Sequence, residues 1–236
     1  MIVEVVVVLV LLLLLGLAAA LADRVCAGLA ERKASEYLAE PFGHPPTVRV
    51  HGTPFLTQVL RGRYGEIEVS GGGLRIGEMT GATLHAHLFN VVLSPRELLG
   101  GRTTSLSCER VDGRIVLPYR ELARISRIPG LTLNYENERL VASAAVPVPG
   151  VSQLARVSGQ ARLSVVGGAV WLRVRGLSVA GISLPSLVVE QLMPSLNVPI
   201  PLPSLPYGLR LDELKPVASG LLVCASADDV VFAVSG

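Results

Sequence analysis

The stretch Ala161-Arg162-Leu163-Ser164-Val165-Val166-Gly167-Gly168-Ala169-Val170-Trp171-Leu172-Arg173-Val174-Arg175 reads as two strands folded about a diglycine. Two-residue hairpin loops need positive φ, which glycine adopts without steric cost. Such a loop sets Ser164 opposite Trp171, Leu163 opposite Leu172 and Arg162 opposite Arg173. Because strand side chains alternate between faces, Ala161, Leu163, Val165, Val170, Leu172 and Val174 form an apolar side, and Arg162, Trp171, Arg173 and Arg175 form the other. Like charges directly opposite are unfavourable unless water, salt or an anion screens them. The second face is therefore either plain solvated surface or a patch where Trp and Arg meet anionic head groups.

The same turn chemistry recurs along the chain. Asp112-Gly113 predicts a type I′ hairpin joining Ser105 to Val111 with Arg114 to Leu117. Glu136 to Glu138 links Leu131 to Tyr135 with Arg139 to Val146, and Gly220 to Ala227 pairs with Val230 to Ser235 about Asp228-Asp229. Thr47 to Val50, Glu66 to Val69 and Ala82 to Val92 add strands, and Gly71-Gly72-Gly73, with no Lys-Ser/Thr after it, reads as a turn rather than a phosphate loop. Helices are predicted at Asp23 to Glu40, stopped by Pro41, and at Phe55 to Leu60, with Thr53 as N-cap, Pro54 at the first helical position and Gly62 as stop. Another begins at the Ser94-Pro95-Arg96-Glu97 capping box and ends at Gly100-Gly101, and a further turn or two follows Pro118 over Tyr119 to Ile125. Long runs of strands with segregated helices define an α+β fold with an antiparallel sheet of successive hairpins. Pro194 to Pro206, with five prolines, reads as an extended edge segment, because proline cannot donate to a sheet ladder.

Half of the 236 residues are apolar and 17% are charged, which excludes intrinsic disorder. The 21 basic and 19 acidic residues nearly balance at +2, which argues against an extended nucleic-acid footprint. Val5 to Ala22 is an unbroken apolar run that spans about 27 Å as a helix, close to a hydrocarbon core of about 30 Å. The Ala20-Leu21-Ala22 triplet before Asp23 fits a cleavage site, so residues 1–22 read as a signal peptide or a retained anchor, and 23–236 as one exported domain. Cys26, Cys108 and Cys224 are too few for a disulfide framework and match no zinc spacing. They read as buried thiols, a Cys108 to Cys224 bridge being the alternative.

Catalytic and metal signatures are thin. No nucleophile elbow and no His-Glu-x-x-His helix occurs. His85 and His87, two apart on a strand, share a face, but no third ligand lies near in sequence, and Thr83, His85 and His87 also fit a solvated face opposite Leu84, Ala86 and Leu88. Neither a catalytic set, a metal site nor a cofactor is assigned.

Several segments together resemble the LmeA-like phospholipid-binding family of actinobacterial envelope proteins. They are Gly52-Thr53-Pro54-Phe55-Leu56-Thr57-Gln58-Val59-Leu60 with Gly65-Glu66-Ile67-Glu68-Val69, then Arg110-Val111-Asp112-Gly113 leading to Leu117-Pro118-Tyr119-Arg120-Glu121-Leu122-Ala123. Leu205-Pro206-Tyr207-Gly208-Leu209-Arg210-Leu211 and a Gly220-bearing hairpin complete the set. The resemblance implies an exported, periplasmic or cell-envelope protein that binds phospholipid and supports glycolipid assembly, notably of lipomannan. It also implies a strongly twisted sheet wrapped around an N-terminal helix and short helices, similar to tubular lipid-binding folds. On this reading acyl chains lie in an apolar groove against Leu163, Leu172 and Val174. The helices carrying Phe55, Leu56, Val59 and Leu60, and Leu187, Leu192 and Met193, line or gate it, and Arg162, Arg173 or Arg175 meets the head group. Phospholipid, a membrane surface and envelope glycosyltransferases are the partners. An exported enzyme using His85 and His87, and a membrane-tethered scaffold that binds through its proline segment, are the readings from other classes.

Overall fold

The computed structural model describes residues 2–94, 105–126, 128, 130–147, 154–166, 169–179, 182–183, 185, 189, 198–200 and 208–233. In chain order its elements are α1 (Ile2–Phe42), β1 (Thr47–His51), α2 (Phe55–Arg61), β2 (Arg63–Ile76), β3 (Met79–Val92), β4 (Ser105–Leu117) and α3 (Tyr119–Ile125). There follow β5 (Thr132–Glu136), β6 (Arg139–Pro147), β7 (Leu154–Val166), β8 (Ala169–Val179), β9 (Ile182–Ser183), β10 (Val198–Ile200), β11 (Arg210–Val217) and β12 (Gly220–Ala233). The strands form two antiparallel sheets, ordered β1-β2-β3-β4-β12-β11 and β10-β8-β7-β6-β5, with β9 against β8. The α+β class holds.

By contacts the chain divides into unit 1 (Met1–Gly71, His85–Asp112, Ala227–Gly236) and unit 2 (Gly72–Leu84, Gly113–Ser226). In unit 1, α1 runs on unbroken from the apolar leader, so Asp23 lies inside a helix rather than opening one. Its carboxylate is buried and accepts the Phe55 and Leu56 N–H groups, each at 2.8 Å. This corrects the expected cap of α2. Thr53 makes no cap bond, Pro54 is extended (φ −78°, ψ 140°), and two orphan donors of the first turn are satisfied by a residue more than thirty positions earlier. Gly62 ends α2 as expected, left-handed at φ 63° with its N–H on Gln58 and Val59. Phe55 packs on Tyr64, with ring centroids 6.4 Å apart.

In unit 2 the β7–β8 pairing has the expected register, with Arg162 opposite Arg173, Leu163 opposite Leu172 and Ser164 opposite Trp171. The hairpin between β5 and β6 turns through Asn137 and Glu138, both at positive φ. Helix α3 follows Pro118 as expected. Of the proline-rich stretch, Val198–Ile200 is an edge strand against β8, which agrees with the reading of that segment.

Three expected turns are not turns. Asp112-Gly113 lies within the single strand β4, because neither residue takes the positive φ that a type I′ turn needs twice. Gly71-Gly72-Gly73 lies within β2, and the chain reverses at Gly77-Glu78 instead. Asp228-Asp229 lies within β12, where Asp229 alone is left-handed, so the closing hairpin is β11 with β12. The helix expected from Ser94 to Gly101 falls outside the described residues after Ser94.

Gly220 opens β12 at φ 152°, where an added Cβ would stand 2.2 Å from the Leu117 carbonyl oxygen. Backbone cannot yield as a flexible side chain can, so Gly220→Ala is expected to cost about 2–4 kcal/mol. Gly65→Ala, with open space around its Cβ, is expected to stay within about 0.5 kcal/mol of the unsubstituted chain in denaturant titration.

Candidate functional site

The inner face of the second sheet is built by strand alternation. Leu140, Ala142 and Ala144 on β6, Val157 and Ala161 on β7, and Leu172, Val174 and Leu177 on β8 are all buried in one apolar cluster. Keeping Leu177 in this set requires an irregularity. Ser158 pairs with Ser178 but Gln160 pairs with Arg175, so β8 carries one extra residue there, and Gly176 takes φ 63°. Such a bulge shifts the inward parity by one residue. Gly159 makes the opposing room, since a Cβ on it would come within 2.7 Å of Val174 and 3.0 Å of Leu177.

Helix α3 covers part of this face with Tyr119, Leu122 and Ile125. The Tyr119 hydroxyl donates to the Val217 carbonyl at 2.8 Å, and burial pushes the phenol up to about 12. Glu121, 5% exposed, anchors α3 to the β2–β3 turn. It accepts from Arg124 at 2.9 Å and from the Thr80 N–H at 3.3 Å, while Arg124 also donates to the Glu78 carbonyl. Burial alone would raise the Glu121 carboxyl, but the bonds from Arg124 and Thr80 outweigh it and hold the carboxyl below its ordinary range. Beyond α3, Ile128 and Leu131 lie over Ala142, Val157, Leu172 and Val174. The space left between them is about 10 Å³, near the minimum for one water.

Leu163, Leu172 and Val174 are thus brought together, with Leu172 and Val174 buried and the layer they share packed rather than vacant. Arg162, Arg173 and Arg175 are exposed on the opposite face of the same strands, so the sheet itself separates them from the apolar layer. Among the described residues these three arginines form no ion pair. Trp171 on that face is half-buried beside Ser164, whose Oγ is buried without a hydrogen-bond partner. In unit 1, Phe55 is buried and Val59 half-buried, whereas Leu56 and Leu60 are exposed. Leu187, Leu192 and Met193 lie outside the described residues, although Val189 packs on the cluster of unit 2.

Sequence reasoning passed over the Ile128 and Leu131 wall, whose only signal was two apolar residues flanking Pro129-Gly130. It also missed a hollow of about 730 Å³ in unit 1, lined by Tyr64, Val92, Cys108 and Val230 together with Arg63 and Asn90. The histidines are engaged locally. His87 Nδ1 lies 2.8 Å from Glu66 and His51 Nε2 3.1 Å from Glu68, the His51 bond holding the Glu68 carboxyl low, while His85 is exposed. Among the described residues no group of three or more His, Cys, Asp or Glu side chains could hold a metal ion. The three cysteines are free, and burial pushes the Cys108 and Cys224 thiols up.

Among the described residues, then, unit 2 encloses a packed apolar layer partly covered by α3. The LmeA-like phospholipid-binding family matches residues 21–226, and the chain belongs to that family. It is a family of binding proteins, not of enzymes. Comparison with curated proteins and with solved structures gave no match.

Glu121 sets the pH dependence of this support. With its carboxyl held low, ionised Glu121 stabilises unit 2 above the ordinary value of 4.5, and that contribution is lost as pH falls through the lower, folded value. Glu121→Gln is expected to cost about 1–3 kcal/mol at pH 7 and to flatten the acid limb of a melting-temperature profile.

Proposed function

We propose that the chain is an exported phospholipid-binding protein that holds acyl chains against the apolar layer of unit 2 and supports assembly of lipomannan-type envelope glycolipids, with envelope glycosyltransferases as its partners. The observation that supports the site is that Ile128 and Leu131, both only half-buried, lie across the apolar lining of that layer. A space of about 10 Å³ admits no tail, so entry requires this wall to part. Fully exposing two such side chains costs about 1.5–3 kcal/mol each, whereas burying a dozen methylenes returns roughly 10 kcal/mol at about 0.8 each. Binding therefore favours the opened layer. Family membership supports the ligand class, and the apolar N-terminal helix is consistent with export by signal or anchor.

A second location for the lipid is favoured by volume. The unit 1 hollow of about 730 Å³ falls in the usual range of ligand sites, roughly 300–1,000 Å³, though polar groups share its lining.

Native mass spectrometry of the full chain extracted from membranes is expected to find phospholipid bound near one to one, and a persistently bare protein would overturn the reading. Leu131→Trp, at a half-buried position, is expected to lower lipid occupancy several-fold with little change in melting temperature. Retained occupancy in that variant, with loss in Val231→Trp at the unit 1 hollow, would move the site there.

A further inference from the structure

The exposed apolar surface of unit 1 is not scattered. Leu17, Leu21, Val25 and Leu29 follow one another at four-residue spacing on α1 and are all exposed, so the apolar stripe of the leader continues two turns beyond Ala22. Held on the Asp23 side of α1, α2 presents Leu56 and Leu60, the latter 80% exposed. The two helices are joined at this level by the bonds from the Phe55 and Leu56 N–H groups to Asp23.

Charge sorts itself around the stripe. Of the acidic residues on α1 between Ala22 and Arg32, Asp23 points inward to α2 and Glu31 accepts the Val50 N–H at 2.8 Å. The exposed positions from Leu21 to Lys33 therefore carry Leu21, Ala22, Arg24, Val25, Gly28, Leu29, Arg32 and Lys33, none of them acidic. Arg61 and Arg63, also exposed, bound α2. Apolar and basic side chains without an exposed carboxylate, over the stretch that follows the leader, suit the head-group level of an anionic leaflet.

The distances agree. A bilayer is about 40–45 Å thick with head groups around a core of about 30 Å, which leaves roughly 5–7 Å of interface on each side. At about 1.5 Å per residue, Val25 stands about 4.5 Å beyond Ala22, within that interface, and Leu29, about 10 Å beyond Ala22, stands at its outer rim.

We infer that the α1–α2 junction of unit 1 is a membrane seat: Leu21, Val25, Leu56 and Leu60 lie in the head-group zone of the anionic leaflet that α1 enters. The inference rests on the leader remaining attached, as an anchor, to the exported protein.

The test uses the full chain in nanodiscs of anionic phospholipid, with Trp171→Phe giving a tryptophan-free background. Leu60→Trp and Val25→Trp report the seat, and Lys33→Trp, about 6 Å beyond Leu29 along α1, is the outer control. Lipids brominated near the head group are expected to quench Leu60→Trp and Val25→Trp emission at least twofold and to leave Lys33→Trp unchanged. No quenching at the two seat positions, or equal quenching at all three, would overturn the seat. So would quenching of Leu60→Trp by one equivalent of brominated lipid in detergent, which would make Leu60 part of the ligand site. Bare protein in native mass spectrometry together with quenched seat positions would remove the proposed lipid-carrying function and leave the seat standing.

Discussion

The pairing of β7 with β8 decides which side chains of unit 2 meet hydrocarbon and which meet water. In the register that sets Leu163 against Leu172, the aliphatic members of both strands join the buried cluster that α3 covers, and the arginines face outward. A slip of β8 by one residue would turn Leu172 and Val174 outward and place Arg173 and Arg175 in the core, where an unpaired guanidinium is far too costly to persist. The bulge opposite Gly159 extends the same logic. Without the extra residue on β8, Leu177 would fall on the arginine face, and the layer would lose one of its largest members.

That register also constrains how an amphipathic ligand meets this unit. A sheet is one residue thick, so a tail beneath Leu172 and Val174 and a head group on Arg173 or Arg175 lie on opposite sides of a hydrogen-bonded ladder. A single lipid can touch both only by passing an edge. The β8 side carries β10, a three-residue strand containing Pro199, which donates nothing to the ladder at that position. The face with Trp171 and three arginines is therefore separated from the apolar layer by the ladder itself.

Unit 1 is organised by a different device. The buried Asp23 carboxylate stands where the apolar leader gives way to the mixed part of α1, and it closes the N-terminus of α2. A carboxylate bonded to two backbone donors can sit next to hydrocarbon without meeting it, whereas a free one could not. The same bonds fix α2 on α1, so that the orientation of Leu56 and Leu60 follows from the direction of the leader helix.

Local chemistry sufficed for much of this. The sequence alone determined the α+β class, the β7–β8 register, the left-handed stop at Gly62, the turn at Asn137-Glu138, α3 after Pro118 and the family, because each follows from alternation, φ preference or motif order within a few residues. Asp112-Gly113, Gly71-Gly72-Gly73 and Asp228-Asp229 carried equally good local signals for turns, yet all three run through long strands, since ladder bonds to neighbouring strands outweigh a turn preference worth a fraction of that pairing. Only the tertiary structure decided that Asp23 rather than Thr53 caps α2, that Glu121 and Arg124 bind the β2–β3 turn, and that Ile128 and Leu131 close the apolar layer. Each of these joins residues distant along the chain, and no periodicity within one segment records which remote donor or side chain folding will deliver to it.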